Sequence, residues 1–151
     1  MFVDIDVMDD VNAIKMIHHK KVGEMMPFFI IAGAVNAAIA VALGAFGAHA
    51  LKERLTERYL AIWETAVQYQ MFHSLGLIAI GILMSSSLFG ASTQLSWAGY
   101  LLLAGIIIFS GSLYILSLSG VGILGAITPI GGVAFIIGWI MLIVAAVKYT
   151  Q

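Results

Sequence analysis

The sequence has no cysteine, and only 10% of its 151 residues are charged. Without cysteine, the chain can form no disulfide, no cysteine-ligated iron–sulfur cluster and no catalytic thiolate. A soluble domain carries roughly 25% charged residues on average, and this chain has far fewer. Most of its surface must therefore face something other than water. The net charge of −1 offers no basic surface for a nucleic acid, so we predict no nucleic-acid partner.

The chain is instead strongly apolar, with 62% hydrophobic residues and a mean hydropathy of +1.05. A transmembrane helix needs about 20 mostly apolar residues to cross a hydrocarbon core of about 30 Å. Four segments meet this requirement, at about 27–51, 71–89, 95–119 and 121–147. The pattern predicts an all-α integral membrane bundle of four transmembrane helices, with the lipid bilayer as its surroundings.

Two features of these spans bear on how the helices pack. Pro129 removes the backbone hydrogen bond to the Gly125 carbonyl, which predicts a kink in the fourth span. Small residues four positions apart let helices approach closely in lipid. We interpret these rows as packing surfaces within the chain, with a homo-oligomer or membrane-complex interface as the alternative; the rows are Ala34/Ala38/Ala42, Ala40/Gly44/Ala48 and Ala134/Gly138.

Residues 1–24 differ in character from the spans because they are polar and contain too few apolar residues for a core. They predict a disordered or marginally helical tail ahead of the transmembrane domain at 25–151. Translation from Met25 or Met26 would begin directly at the first span. The pair His18–His19 is a poor metal site, since adjacent residues on a helix do not share a face.

The segment between the first two spans, 52–73, is the part in which charged and aromatic residues alternate. Thr56 is a candidate N-cap, so we predict a helix from about residue 57. This helix either forms a short amphipathic element between the first and second spans or continues into the second span. Tyr59 and Trp63 suit the aromatic belt at the membrane interface.

Helical periodicity separates the polar residues of this segment into two groups. At 100° per residue, Glu57, Glu64 and Gln68 share one stripe with Ala61, and we predict that this stripe is a solvated or headgroup-facing edge. Tyr69, Gln70 and His73 lie on other faces and enter the membrane with an ionisable imidazole. An ionisable group at membrane depth is costly unless it has a partner, which makes it a functional hypothesis.

Two interpretations of the intramembrane polar residues remain open. In the first, Asn36, His49, Gln70 and His73 hydrogen-bond between helices and fix their register, in a structural, accessory or assembly protein. In the second, His49 and His73 line an interfacial pocket, with Gln70 and Tyr69, for a quinone, lipid, haem or metal. Serine-nucleophile motifs, phosphate loops and paired intramembrane carboxylates are absent from the sequence, so a non-enzymatic protein is favoured and no catalytic residue is predicted.

Two motifs carry a resemblance to a known family, 44-GAFGAHAL-51 and 63-WETAVQYQMFHSLGL-77. They resemble the YgdD/YwdK-type family of small bacterial inner-membrane proteins, a domain of unknown function. The resemblance covers residues 25 to 148 and implies four spans in the bacterial inner membrane, without implying an activity. Glu64 occupies a free position of the family pattern, whereas the residues at fixed positions are Gly44, Ala45, Gly47, Ala48, His49, Ala50, Leu51, Trp63, Thr65, Ala66, Tyr69, Gln70, His73 and Leu75.

Overall fold

The computed structural model describes the backbone of residues 5–85 and 87–150, and the side chains of Ala13, Met16 and the residues from 25 onward within those ranges. The chain is 87% helical, and its described part contains no strand. Within these residues, four spans are long and apolar enough to cross a membrane: Met25–Leu51, Glu57–Leu83, Thr93–Ser119 and Gly122–Tyr149. The predicted all-α, four-span bundle is confirmed.

The first span is longer than its apolar stretch. Helix α1 runs from Ile5 to Phe46 and passes through Pro27, and a π-helical segment at Gly47–Leu51 completes the span. The polar residues 5–24, predicted to form a disordered or marginally helical tail, therefore continue the helix of the first span. The prediction that His18 and His19 form a poor metal site concerns side chains outside those that the structure describes.

The second span is one continuous helix, α2, from Glu57 to Leu83. The amphipathic segment is thus the first half of the second span and not a separate short helix before it, and the span extends from Glu57 to Leu83 where about 71–89 was predicted. Hydropathy drops over residues 57–70, but no proline or glycine interrupts the helix there, so backbone hydrogen bonding continues. The predicted N-cap is confirmed, because the Thr56 hydroxyl accepts a hydrogen bond from the Tyr59 backbone N–H at 3.4 Å.

The third span consists of α3 (Thr93–Gly105), a π-helical segment (Ile106–Ser110) and α4 (Gly111–Ser119). Gly120 ends α4 in the left-handed region, with φ of 70°, a conformation that glycine adopts without steric cost. The fourth span begins with a 3₁₀ turn at Gly122–Ala126 and continues as α5 (Thr128–Tyr149). The fourth span changes from the 3₁₀ turn to α5 at Ile127, two residues before Pro129. Pro129 therefore lies in the first turn of α5, where its missing N–H breaks no helical hydrogen bond, and the predicted loss of a helical bond to the Gly125 carbonyl is wrong.

The helices pack in two closely associated pairs, α1 with α2 and α3 with α5, and α2 also contacts the third span. Close approach in the first pair depends on Gly33, since a Cβ there would lie 2.6 Å from the Ser74 carbonyl oxygen. The largest cluster of buried apolar side chains joins α2, the third span and α5 to Phe29 of α1; its members are Phe29, Leu77, Ile80, Met84, Leu95, Ala98, Leu102, Ile106, Phe135 and Ala145.

The small-residue rows have different surroundings in the fold. Ala40 is fully buried and Gly138 is buried against Leu102, as expected for packing within the chain. The row formed by Ala34, Ala38 and Ala42 is exposed, so the interpretation of that row as an internal packing surface is wrong. It lies on the outer surface of α1, because Gly33 and Ala40 take the side that faces α2.

Candidate functional site

Gln70 links three of the four spans through its side-chain amide. It lies at the midpoint of α2, about 20 Å from either end at 1.5 Å per residue, and is 4% exposed. Its Nε2 donates to the Asn36 carbonyl of α1 at 3.1 Å, and its Oε1 accepts from the Tyr114 hydroxyl of α4 at 2.8 Å. Both ends of one amide are thereby satisfied by two different helices.

The other polar residues near Gln70 bond within their own helices. The Asn36 amide donates to the Ala32 carbonyl at 2.9 Å, and His73 Nδ1 lies 2.7 Å from the Tyr69 carbonyl. The Ser74 hydroxyl donates to the Gln70 carbonyl. Of the residues predicted to hydrogen-bond between helices, Gln70 therefore does so through its side chain, and Asn36 takes part through its backbone oxygen.

The structure does not bring His49 and His73 together, which corrects the pocket proposed from the sequence. His49 is exposed in the π-helical segment that ends the first span. Asn36 lies beside Gln70, and His49 is about 20 Å further along α1 at 1.5 Å per residue. His73 is on the opposite side of Gln70 along α2, so the antiparallel course of the two helices increases the separation.

Trp63 also differs from its predicted place in the interfacial belt. It is 2% exposed, and its indole N–H donates to the Leu43 carbonyl of α1 at 2.9 Å. Its ring lies against Gly47, where a Cβ would come within 2.7 Å, and contacts Tyr114 at a centroid distance of 4.7 Å. Trp63 and Gln70 thus contact the same residue of α4, and Tyr114 is the residue of this cluster that sequence reasoning missed. A tyrosine within a transmembrane span was the available signal, which Tyr100 shares.

An aromatic column joins α2 to α5 and to the π-helical segment of the third span. His73 stacks on Phe135 with ring centroids 3.4 Å apart and an interplanar angle of 12°, and Tyr69 stacks on Phe109 at 4.4 Å. Beside this column is a groove of about 290 Å³, whose lining residues are Gln68, Tyr69, Phe72, His73 and Trp139. Tyr69 and His73, predicted as ligand-binding residues, therefore share one groove, whereas the Gln70 amide is directed to other helices.

The polar edge predicted on α2 is exposed. Glu57, Ala61, Glu64 and Gln68 all lie on the outer surface of the helix, and we call these four residues the polar edge. Glu64 is about 9 Å from the midpoint of α2 at 1.5 Å per residue. Because the hydrocarbon core extends about 15 Å from its centre, the carboxylate lies at hydrocarbon depth when α2 is centred in the bilayer.

Metal binding has little support from the described side chains. No group of three or more His, Cys, Asp or Glu residues among them is arranged to hold a metal ion. His73, the histidine at membrane depth, is surrounded by aromatic rings from α2 and α5.

The π-helical segment of the third span ends at Ser110, whose hydroxyl is buried. Ser110 is 1% exposed, and its hydroxyl has no hydrogen-bond partner among the described residues. A buried unsatisfied hydroxyl costs about 1–3 kcal/mol. We therefore expect Ser110→Ala to raise the free energy of unfolding by about 1 kcal/mol, measured by SDS titration in mixed micelles. A fall in stability would show that the hydroxyl has a partner.

Comparison with known sequences places these residues in a family. The profile of the family described as "Protein of unknown function (DUF423)" matches residues 43–132. The chain belongs to the DUF423 family. The matched region includes Trp63, Gln70, His73 and Tyr114, whereas Phe135 and Trp139 of the aromatic groove lie beyond it.

Full-length relatives of this DUF423 chain are similar over most of its length. The UPF0382 membrane protein YwdK of Bacillus subtilis is 57% identical over 124 residues, which is 82% of this chain and 99% of the relative. UPF0382 membrane proteins of Staphylococcus epidermidis and Staphylococcus aureus are each 55% identical over 124 residues, covering 82% of this chain and 98% of the relative. No solved structure matches the chain. The resemblance to YwdK-type membrane proteins is confirmed, and the chain is a membrane protein that sits in the lipid bilayer.

Proposed function

We propose that this protein is a non-enzymatic accessory or assembly component of the bacterial inner membrane. Its intramembrane amide, Gln70, joins its own helices, and its polar edge receives another protein chain. The observation that carries the proposal is the exposure of Glu64 and Gln68 on α2, which places both at hydrocarbon depth when that helix is centred in the bilayer. Polar side chains inside the bilayer normally face a bundle interior or a water-filled cavity, so a second protein surface is the natural cover for this edge.

The exposed row Ala34/Ala38/Ala42 on α1 is consistent with such an assembly. Small residues let a neighbouring helix approach closely, and close contact between helices is a main source of association in lipid. The partner is a second copy of this chain or another membrane protein, and the two differ in the mass of the complex that each would form. Both arrangements use residues that the four-span fold leaves outside its core.

Site-specific photocrosslinking in native membranes tests the proposal. A benzoylphenylalanine residue in place of Glu64 is expected to give a discrete protein adduct. The matched control is the same replacement of Ile136, which is 61% exposed on the apolar α5 and is expected to give several-fold less adduct. An adduct at twice the mass of the chain identifies a homo-oligomer, and another discrete mass identifies a different partner. Equal labelling at the two positions, or no protein adduct at Glu64, would contradict the proposal.

A further inference from the structure

His73 lines the aromatic groove and carries a ring nitrogen that no hydrogen bond among the described residues uses. Its Nδ1 lies 2.7 Å from the Tyr69 carbonyl, and a carbonyl only accepts, so Nδ1 carries the proton. In the neutral imidazole, Nε2 is then the hydrogen-bond acceptor. No hydrogen bond from the described residues reaches Nε2, although the side chain is only 8% exposed. Among the described side chains, Ser110 Oγ is the one polar atom that is both fully buried and without a hydrogen-bond partner. His73 Nε2 also has no such partner, so it must be accessible from outside.

The groove beside this nitrogen has the size and lining of a small-ligand site. Its volume of about 290 Å³ exceeds the roughly 150 Å³ that suffices for benzene in an apolar cavity and lies near the lower end of ligand pockets. Tyr69, Phe72 and Trp139 provide aromatic walls, and all three are at least 40% exposed on the outer surface. The opening therefore faces the membrane, from which an apolar ligand would enter.

The groove can hold a ring because α2 and α5 are separated by aromatic side chains. Gly76 of α2 provides space for Trp139, since a Cβ there would lie 3.1 Å from the indole ring. His73 is held against Phe135 of α5, which fixes the plane of the imidazole and hence the direction of Nε2. Gln68 adds an amide at the rim, which can both donate and accept a hydrogen bond.

We propose that the groove between α2 and α5 binds a membrane-soluble hydroxyaromatic compound, such as a phenol or hydroquinone, whose hydroxyl donates to His73 Nε2. The ring of the ligand packs among Tyr69, Phe72 and Trp139, and its apolar substituent extends into the bilayer. A phenolic hydroxyl matches the site because Nε2 accepts and the walls are aromatic. Gln68 belongs to both the polar edge and the rim of the groove. The essential residues differ, His73 for the ligand and Glu64 for the assembly contact, so either proposal can fail without the other.

A matched pair of probes separates hydrogen bonding from simple partition into an apolar groove. The probes are 4-nonylphenol and 4-nonylanisole, which differ in that the ether has no hydroxyl donor. Each is titrated into the purified full-length chain at equal mole fraction in detergent, and the apparent dissociation constant is taken from the shift in Tm. One net hydrogen bond is expected to make the phenol bind about fivefold more tightly than the ether.

Variants assign this preference to His73. His73→Phe keeps a ring for stacking on Phe135 but removes the acceptor, so the two probes are expected to bind equally. Trp139→Leu reduces a wall and is expected to weaken both probes while the preference for the phenol remains. Trp97→Phe, an exposed aromatic on α3 outside the groove, is the control and is expected to behave as the unaltered chain.

Three results would overturn the proposal. Equal binding of the two probes by the unaltered chain would show that no hydroxyl contact forms. A preference for the phenol that persists in His73→Phe would place the contact elsewhere. If His73→Phe does not fold, ¹⁵N-histidine NMR of the unaltered chain provides the test. The phenol is expected to shift an imidazole Nε2 resonance that the ether leaves in place. An identical spectrum with both probes would contradict the proposed hydrogen bond.

Discussion

Gln70→Leu is expected to lower the free energy of unfolding by about 1–3 kcal/mol, because hydrogen bonds between membrane helices contribute about 0.6 kcal/mol on average and up to about 1.7 each. The substitution removes two such bonds, to the Asn36 carbonyl and from the Tyr114 hydroxyl. It also leaves both partners without their interhelical bond at membrane depth. Leucine is of similar size, so lost packing contributes little. SDS titration in mixed micelles, followed by tryptophan fluorescence, measures the difference.

Gln68→Leu is the matched control, since it makes the same chemical change two residues earlier on α2. Gln68 is exposed, and no interhelical hydrogen bond of its side chain is present among the described residues. Its substitution is expected to change stability by less than about 0.5 kcal/mol. Equal losses for the two variants would show that the site at Gln70 has no special role in holding the helices together.

Gly33→Ala is expected to lower the free energy of unfolding by about 3 kcal/mol, at the upper end of the usual cost of overpacking. This loss is as large as that expected for Gln70→Leu, or larger. The added Cβ would lie 2.6 Å from the Ser74 carbonyl oxygen and 2.9 Å from the Ile78 backbone nitrogen. Backbone atoms cannot rotate away as side chains can, so α1 and α2 must separate. Separation lengthens the hydrogen bond from Gln70 to Asn36 as well. The same SDS titration gives the loss of stability.

Gly111→Ala provides the comparison for a glycine without close neighbours. A Cβ at this position meets no heavy atom within 4 Å, and the residue is helical at the start of α4. Alanine favours the helix over glycine by roughly 0.5–1 kcal/mol, so a neutral or slightly stabilising effect is expected. If Gly33→Ala were tolerated as well as Gly111→Ala, α1 and α2 would not be packed as closely as the structure has them.

Local features of the fold follow directly from the sequence. Thr56 was predicted as an N-cap because its hydroxyl stands before a run with helical periodicity, and it caps α2. The outward position of Glu64 and Gln68 follows from the 100° turn per residue, since α2 is one continuous helix through these positions. The third span was predicted at about 95–119 and extends from Thr93 to Ser119.

Contacts between helices were not predictable in the same way. Gln70 and Tyr114 are 44 residues apart, and their meeting depends on how α2 and α4 rotate about their axes. Tryptophan is typical of the membrane interface, yet the indole N–H of Trp63 donates to the Leu43 carbonyl inside the bundle. His49 and His73 were paired because they flank the segment that joins the first two spans, which predicts the same side of the membrane for both, whereas the antiparallel register that places Gln70 beside Asn36 keeps them apart.

A double-mutant cycle on Gln70 and Tyr114 tests most directly whether these side chains join the helices. The free energy of unfolding is measured for the unaltered chain, Gln70→Leu, Tyr114→Phe and the double variant under one SDS titration protocol. The hydrogen bond of 2.8 Å between the two side chains predicts a coupling energy of about 0.6–1.7 kcal/mol, with the double variant less destabilised than the sum of the single ones. Strict additivity would contradict the role of Gln70 as the link between α2 and α4.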